Sequence, residues 1–328
     1  MRVTNRMTTS SFLRDLNKNL NSLNKMNNQL TSGKEVSRPS DNPFKVSRIM
    51  QLNNDINLND QYKENIKDAL NWMDTTDTAL GQINDSMQRV RELMVSVGNA
   101  TYDQNQMTSI KEEINERIKE IGQVLNTSFD GKYIFGGTKT SSKPVRTEVD
   151  VDGNALMVLN GKNGETIRFD TKEYELQNQL MNMEERLNVE ISKGVKIDYS
   201  INAVELLKIQ TDDGTELNFM DLASEILSNL GDSNNWQEVY TNNLGKLDLF
   251  MNNVNRLRSE VGAKENRMTS AEMQNEEINY NLTNLLSNIQ DIDYAEKSIE
   301  IAELQAVYIA SLQASAKIIK PTLLDYLG

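Results

Sequence analysis

The chain has 328 residues, a formal net charge of −13, no cysteine and no histidine, and an isoelectric point near 4.7. That length suits two or three domains, while the acidity argues against a nucleic-acid interface or docking on anionic lipid. Without cysteine and histidine there is no disulfide, no thiolate and no Ser–His or Cys–His nucleophile pair, and the commonest general base and metal ligand are missing.

The opening, Met1 to Met7, leads into polar residues and not an apolar run, so no cleaved signal peptide is expected. No later stretch is long and apolar enough to read as a membrane span. The first periodic segment carries Leu13, Leu16, Leu20, Leu23 and Leu30, with Asn27 interrupting the row. Three-then-four spacing of this kind marks a helix that buries one narrow face against another helix. Pro39-Ser40-Asp41-Asn42-Pro43 then forms a corner.

After the corner, Ile66, Met73, Leu80, Met87 and Met94 recur at seven-residue steps, with Ile83, Val90 and Val97 as a second row. A shorter helix follows through Met107, Ile110, Ile114, Ile118, Ile121 and Leu125. Glycine and proline are dense from Gly131 to Gly231, which predicts a turn-rich α+β insert between helical flanks. Within it, Leu187, Val189 and Ile191 alternate up to Lys193-Gly194, and Val195, Ile197, Tyr199 and Ile201 alternate after it, a hairpin signal. Asp152-Gly153, Asn160-Gly161 and Asp213-Gly214 mark further turns, and Phe219 to Leu230 reads as a short helix.

Asp232-Ser233-Asn234-Asn235 offers N-cap chemistry for a third long helix. Its rows are Leu247, Val254, Val261, Met268, Leu282 and Ile289, and Phe250, Leu257, Ala271, Ile278, Leu285 and Ile292, broken only by Lys264 and Asn275. The last segment carries a stripe of Ile292, Ala295, Ile299, Ala302, Ala306, Ile309, Ala316, Ile319 and Leu323. The two ends of the chain thus ask for the same kind of helical partner. Periodicity alone fits an ordinary helical core as well as a rod built to stack on copies of itself.

Candidate chemistry is sparse. Glu148 to Gly153 places oxygen ligands at alternate positions before a glycine, but position twelve of such a loop is Leu159 where calcium needs a bidentate Glu. A strand and a turn are expected there. Adjacent acids such as Glu112-Glu113 and Glu276-Glu277 diverge on a helix, and Glu112, Glu116 and Glu120 share a solvated face with Lys119. No phosphate cradle, nucleophile elbow or zinc spacing is present, so neither enzyme activity nor a cofactor is expected.

The chain nevertheless resembles a known family. Leu30-Thr31-Ser32-Gly33-Lys34 followed by Asp41-Asn42 is similar to the flagellin N-terminal signature. Ala69 to Asp74, Gln88 to Leu93 and Asn126 to Lys132 are similar to the flagellin core, and Ile292 to Glu296 to its C-terminal counterpart. Tyr133-Ile134-Phe135-Gly136-Gly137-Thr138 and the ending Leu323-Leu324-Asp325-Tyr326-Leu327 resemble the hook–filament junction branch of that family. The resemblance implies a mainly α fold: a long antiparallel helical rod with discontinuous N- and C-terminal halves and a small α+β insert domain. Residues 1–43 and 289–328 would be terminal coiled-coil assembly segments, 44–138 and 232–288 the rod core, and 139–231 the outward insert. It implies export by the flagellar type III pathway and a place between hook and filament outside the cell. The implied partners are copies of itself in a tubular ring, hook-associated protein 1 on the hook side, flagellin on the filament side and an export chaperone. The residues expected at the assembly interface are Leu13, Leu16, Leu20, Leu23, Leu30, Ile299, Ala302, Ala306, Ile309, Ala316, Ile319 and Leu323. A filament-forming flagellin subunit is the alternative within the same family.

Overall fold

A computed structural model describes residues 5–99, 103–150, 153–162, 164–169, 171, 173–211, 214–231 and 236–318. The chain divides into two compact units, one of residues 1–60 and 277–328 and one of residues 61–276. Helices dominate both, and every strand pairing is antiparallel. No helix among the described residues is long and apolar enough to cross a membrane. Nor, among those residues, do three acidic side chains converge to hold a metal ion.

The first unit contains α1 (Asn5–Ser32), the start of α2 (Pro43–Asn99), the end of α8 (Leu244–Gln290) and α9 (Tyr294–Ile318). Each helix boundary has a local cause. Gly33 stops α1 in the left-handed region at φ 70°, with its N–H donating to the Gln29 carbonyl at 2.8 Å. Any other residue there would also collide with Tyr294, whose hydroxyl lies 2.7 Å from where a Cβ would sit. Asn42 caps α2 by accepting from the Lys45 N–H at 3.1 Å, and Pro43 occupies the first helical position, where no donor is needed. Asp293 caps α9, its Oδ1 accepting from the Ala295 and Glu296 N–H groups at 2.8 and 3.2 Å. The two breaks are joined: Lys34 and Asp291 form an antiparallel bridge, flanked by Glu35 N–H to Gln290 C=O (2.7 Å) and Ile292 N–H to Gly33 C=O (3.1 Å).

In the second unit α2 and α8 run antiparallel. Lys63 pairs with Glu276, Arg258 with Asp77 and Arg91 with Asp248. The two seven-residue rows of α2 are buried from Ile66 to Val97, and Leu247, Val254, Val261 and Met268 of α8 are buried with them. The α3 helix (Gln104–Val124) opens with a capping box, in which the Asp103 side chain binds the first-turn backbone and Gln106 reaches back. Met107, Ile114, Ile118, Ile121 and Leu125 complete its buried face.

The insert follows two short strands, β1 (Ser128–Phe129) and β2 (Lys132–Tyr133). A three-stranded sheet of β3 (Val145–Val149), β4 (Ala155–Asn160) and β5 (Thr166–Ile167) has β4 in the centre. After α4 (Tyr174–Glu184), the expected hairpin forms from β6 (Asn188–Ser192) and β7 (Val195–Asp198), with Gly194 at φ 77° in its turn. Next come α5 (Ala203–Leu207), the hairpin β8 (Lys208–Gln210) and β9 (Glu216–Asn218), and α6 (Phe219–Gly231). The chain then passes from α7 (Trp236–Glu238) through a π-helical turn, Val239–Asn243, into α8. The expected cap at Asp232 to Asn235 lies outside the described residues, as do Asp152 and Asp213 of two expected turns.

The insert shares one hydrophobic core with the helices, running from Ile66 and Met73 through Phe135, Leu159 and Leu227 to Phe250. Polar contacts fasten it further. Asn65 of α2 and Asn275 of α8 donate to the backbone carbonyls of Glu190 (3.1 Å) and Ile191 (2.9 Å) on β6. Arg186 donates to Glu205 (2.8 Å), to Asp198 (2.9 Å) and to Glu260, and Lys264 bridges Asp198 and Glu260 at 2.6 and 2.9 Å. The Arg186 hydrogen bond, opposed by burial and aided by Lys264, brings the Glu260 pKa down to about 2. Burial raises the Asp198 pKa, but the hydrogen bonds from Lys264 and Arg186 outweigh it and lower it to about 2.

Candidate assembly interface

The helices nearest the two ends, α1 and α9, pack on each other. On α1 the partly covered stripe is Thr9, Phe12, Leu16, Asn19, Leu23, Met26 and Leu30, with Ser11 and Gln29 partly covered beside it. On α9 the stripe is Lys297, Ile301, Leu304, Tyr308 and Ser311, with Glu300 partly covered beside it. Both sets alternate steps of three and four, the spacing of a two-helix seam. Lys297 hydrogen-bonds to Glu300 one turn on, which raises its pKa.

Only part of the row expected on α1 lies in that seam. Leu16, Leu23 and Leu30 do, but Phe12, Asn19 and Met26 take the alternate positions. Leu13 and Leu20 stand one residue to the side and are 49% and 38% exposed. On α9 the difference is larger. The expected row, Ile299, Ala302, Ala306 and Ile309, is two residues out of step with the seam, about 200° around the helix. Ile299 and Ile309 are 63% and 54% exposed, and Ala302 and Ala306 are exposed with them. The Ala316 side chain, Ile319 and Leu323 lie outside the described residues. Ile292 is buried beside the Lys34–Asp291 bridge.

The physical reason is that α9 carries two apolar rows on different faces. Ile301, Leu304 and Tyr308 make one face, and Ile299, Ala302, Ala306 and Ile309 make another. Each satisfies the three-four rule, so periodicity could not say which one α1 covers. The signal that separates them is polarity across the pair: Asn19 on α1, and Lys297 and Ser311 on α9, lie in the covered seam. Val307 and Leu312, on the flanks between this face and the seam, are also exposed. A bare apolar face on a helix already packed on its other side is a surface that can take another helix.

Comparison with known proteins gives this geometry its context. The model of the bacterial flagellin N-terminal helical region matches residues 3–140, and that of the C-terminal helical region matches residues 244–327. Phase 2 flagellin of Salmonella abortus-equi is 28% identical over 217 residues, 66% of this chain and 39% of that protein. Phase 1 flagellin of Salmonella naestved is 29% identical over 50% of this chain and 30% of its own length. The chain thus spans well under half the length of these relatives. Among solved structures, a proposed flagellar hook-associated protein from Vibrio parahaemolyticus superposes with a TM-score of 0.61 at 19% identity, over 76% of this chain and 100% of that one. Flagellar hook associated protein-3 from Legionella pneumophila does so at 0.59 and 11%, over 74% and 98%. These likenesses show a common fold.

Proposed function

The chain belongs to the flagellin family, and from that premise we propose that it is a structural, non-enzymatic subunit of the bacterial flagellum that joins hook to filament. The observation that carries the reading is the uncovered apolar face of α9, Ile299, Ala302, Ala306 and Ile309, on a helix whose opposite face already packs on α1. A neighbouring copy covers that face, together with Leu13 and Leu20 of α1. Burying a leucine-sized side chain contributes roughly 1.5–3 kcal/mol, so a few per helix drive docking. The partners are copies of itself in a ring, hook-associated protein 1 below, flagellin above and an export chaperone before secretion. The chain leaves the cell through the flagellar type III pathway.

The fold it shares with hook associated protein-3 favours the junction over the filament. The test substitutes Ile299 and Ile309 together by Asp. The variant is expected to keep the helix content and melting of the wild type, because neither residue lies in the α1 seam, and to fail to incorporate into flagella. Normal incorporation would overturn the reading. A second reading, a filament subunit, is favoured by the Salmonella flagellins among its sequence relatives. Purified protein added to filament seeds separates the two: a junction subunit binds and stops, and a filament subunit grows without limit.

A further inference from the structure

Charge is distributed unevenly along this chain. Residues 1–60 carry nine basic and five acidic residues, and residues 277–328 carry three and seven. The first unit is therefore neutral overall, but it is divided into one passage of +4 and another of −4. The whole formal charge of −13 lies in residues 61–276. The helices of the two opposite passages, α1 and α9, pack on each other, yet among the described residues no ion pair joins the passages. Lys25 pairs with Asp41, Lys45 with Glu35 and Lys297 with Glu300, each within its own passage.

Helix geometry gives the reason. Arg14, Lys18 and Lys25 follow one another at steps of four and seven, which makes them one face of α1, about 150° around the helix from the seam with α9. Glu296 and Glu303 stand seven residues apart on α9, on a flank between the seam and the uncovered apolar face. All five side chains are exposed, and Arg14, Lys18, Glu296 and Glu303 form no ion pair among the described residues. Within one chain the basic face of α1 is turned away from α9, so the two opposite charges stay apart. Two copies can bring them together. The other pairings of these faces across copies set like charges against each other, basic on basic for α1 with α1 and acidic on acidic for α9 with α9. We propose that the Arg14–Lys18 face of α1 docks on the Glu296–Glu303 row of α9 in a second copy of the chain. Naming a second copy rests on the assembly reading above, and the complementary charge of the two faces selects which helices meet. An exposed ion pair adds little affinity, so these charges choose the partner helix and its register while the uncovered apolar residues supply the driving force.

Two full-length variants test the contact. One carries Arg14→Glu with Lys18→Glu and is acidic on both faces; the other carries Glu296→Lys with Glu303→Lys and is basic on both. All four positions lie outside the α1–α9 seam, so both variants are expected to keep the circular dichroism spectrum and melting of the wild type. In sedimentation each variant alone is expected to need about tenfold higher concentration than the wild type to self-associate, because like charges now face each other. An equimolar mixture is expected to recover most of the wild-type association, since the acidic α1 of one variant then meets the basic α9 of the other. Wild-type association by either variant alone, or a mixture no better than its components, would overturn the contact and leave the assembly reading standing. If the wild type does not associate at all, the assembly reading and this contact fall together.

Discussion

The Asn275 side chain donates a 2.9 Å hydrogen bond to the backbone carbonyl of Ile191. Asn275 interrupts an otherwise apolar row on α8, and Ile191 is the inward residue of β6, so the gap in the helix pattern is where a strand is attached. Lys264, the other interruption, likewise reaches the insert through Asp198.

Substituting Asn275 by Leu restores the apolar row but leaves a buried carbonyl without its donor. An orphaned group of this kind costs about 1–3 kcal/mol. The urea midpoint should fall accordingly, and hydrogen exchange should speed up at the β6 and β7 amides first.

Arg186 holds three carboxylates from β7, α5 and α8. Replacing it with Met strips Glu205 of its ion pair and leaves Lys264 to hold Asp198 and Glu260, and should cost about 2 kcal/mol at pH 7, less than a fully buried pair because the cluster is partly solvated.

The same cluster sets an acid response. Asp198 and Glu260 have folded-state pKa values of about 2, below their ordinary 3.8 and 4.5. The unfolded chain therefore takes up protons first as pH falls, and their contribution is present above about pH 5 and lost as pH drops toward 2. Urea midpoints of wild type and Arg186→Met should differ at pH 7 and converge as pH falls to about 2.

Gly33→Ala should destabilise the first unit by about 1–2 kcal/mol from the left-handed backbone alone, with a further penalty from contact with the Tyr294 hydroxyl. Adding Tyr294→Phe removes the second part and leaves the first. Thermal melts of the single and double variants measure the two separately.

The helical flanks were legible because their cores obey one period: Ile66 to Met94 and Leu247 to Met268 repeat every seven residues and are buried throughout. The Leu30 to Gly33 turn and the Asp41-Asn42 pair were legible as motifs, and their physics is a C-terminal glycine and an N-cap. The α4 helix was missed because its eleven residues bury only Met183 fully and show little periodicity. The β1–β2 hairpin was missed because its strands have two residues each, though Asp130-Gly131 is the turn signal for it. The covered face of α9 was not legible because two apolar rows on one helix have the same spacing.

The bridge between Lys34 and Asp291 has a further consequence. Both chain passages leave the helical state at one level and are stitched there by backbone groups, which any side chains would allow. The level at which α1 ends and α9 begins is therefore held by main-chain hydrogen bonds, so substitutions at the Lys34 and Asp291 side chains leave the meeting point of the two passages in place.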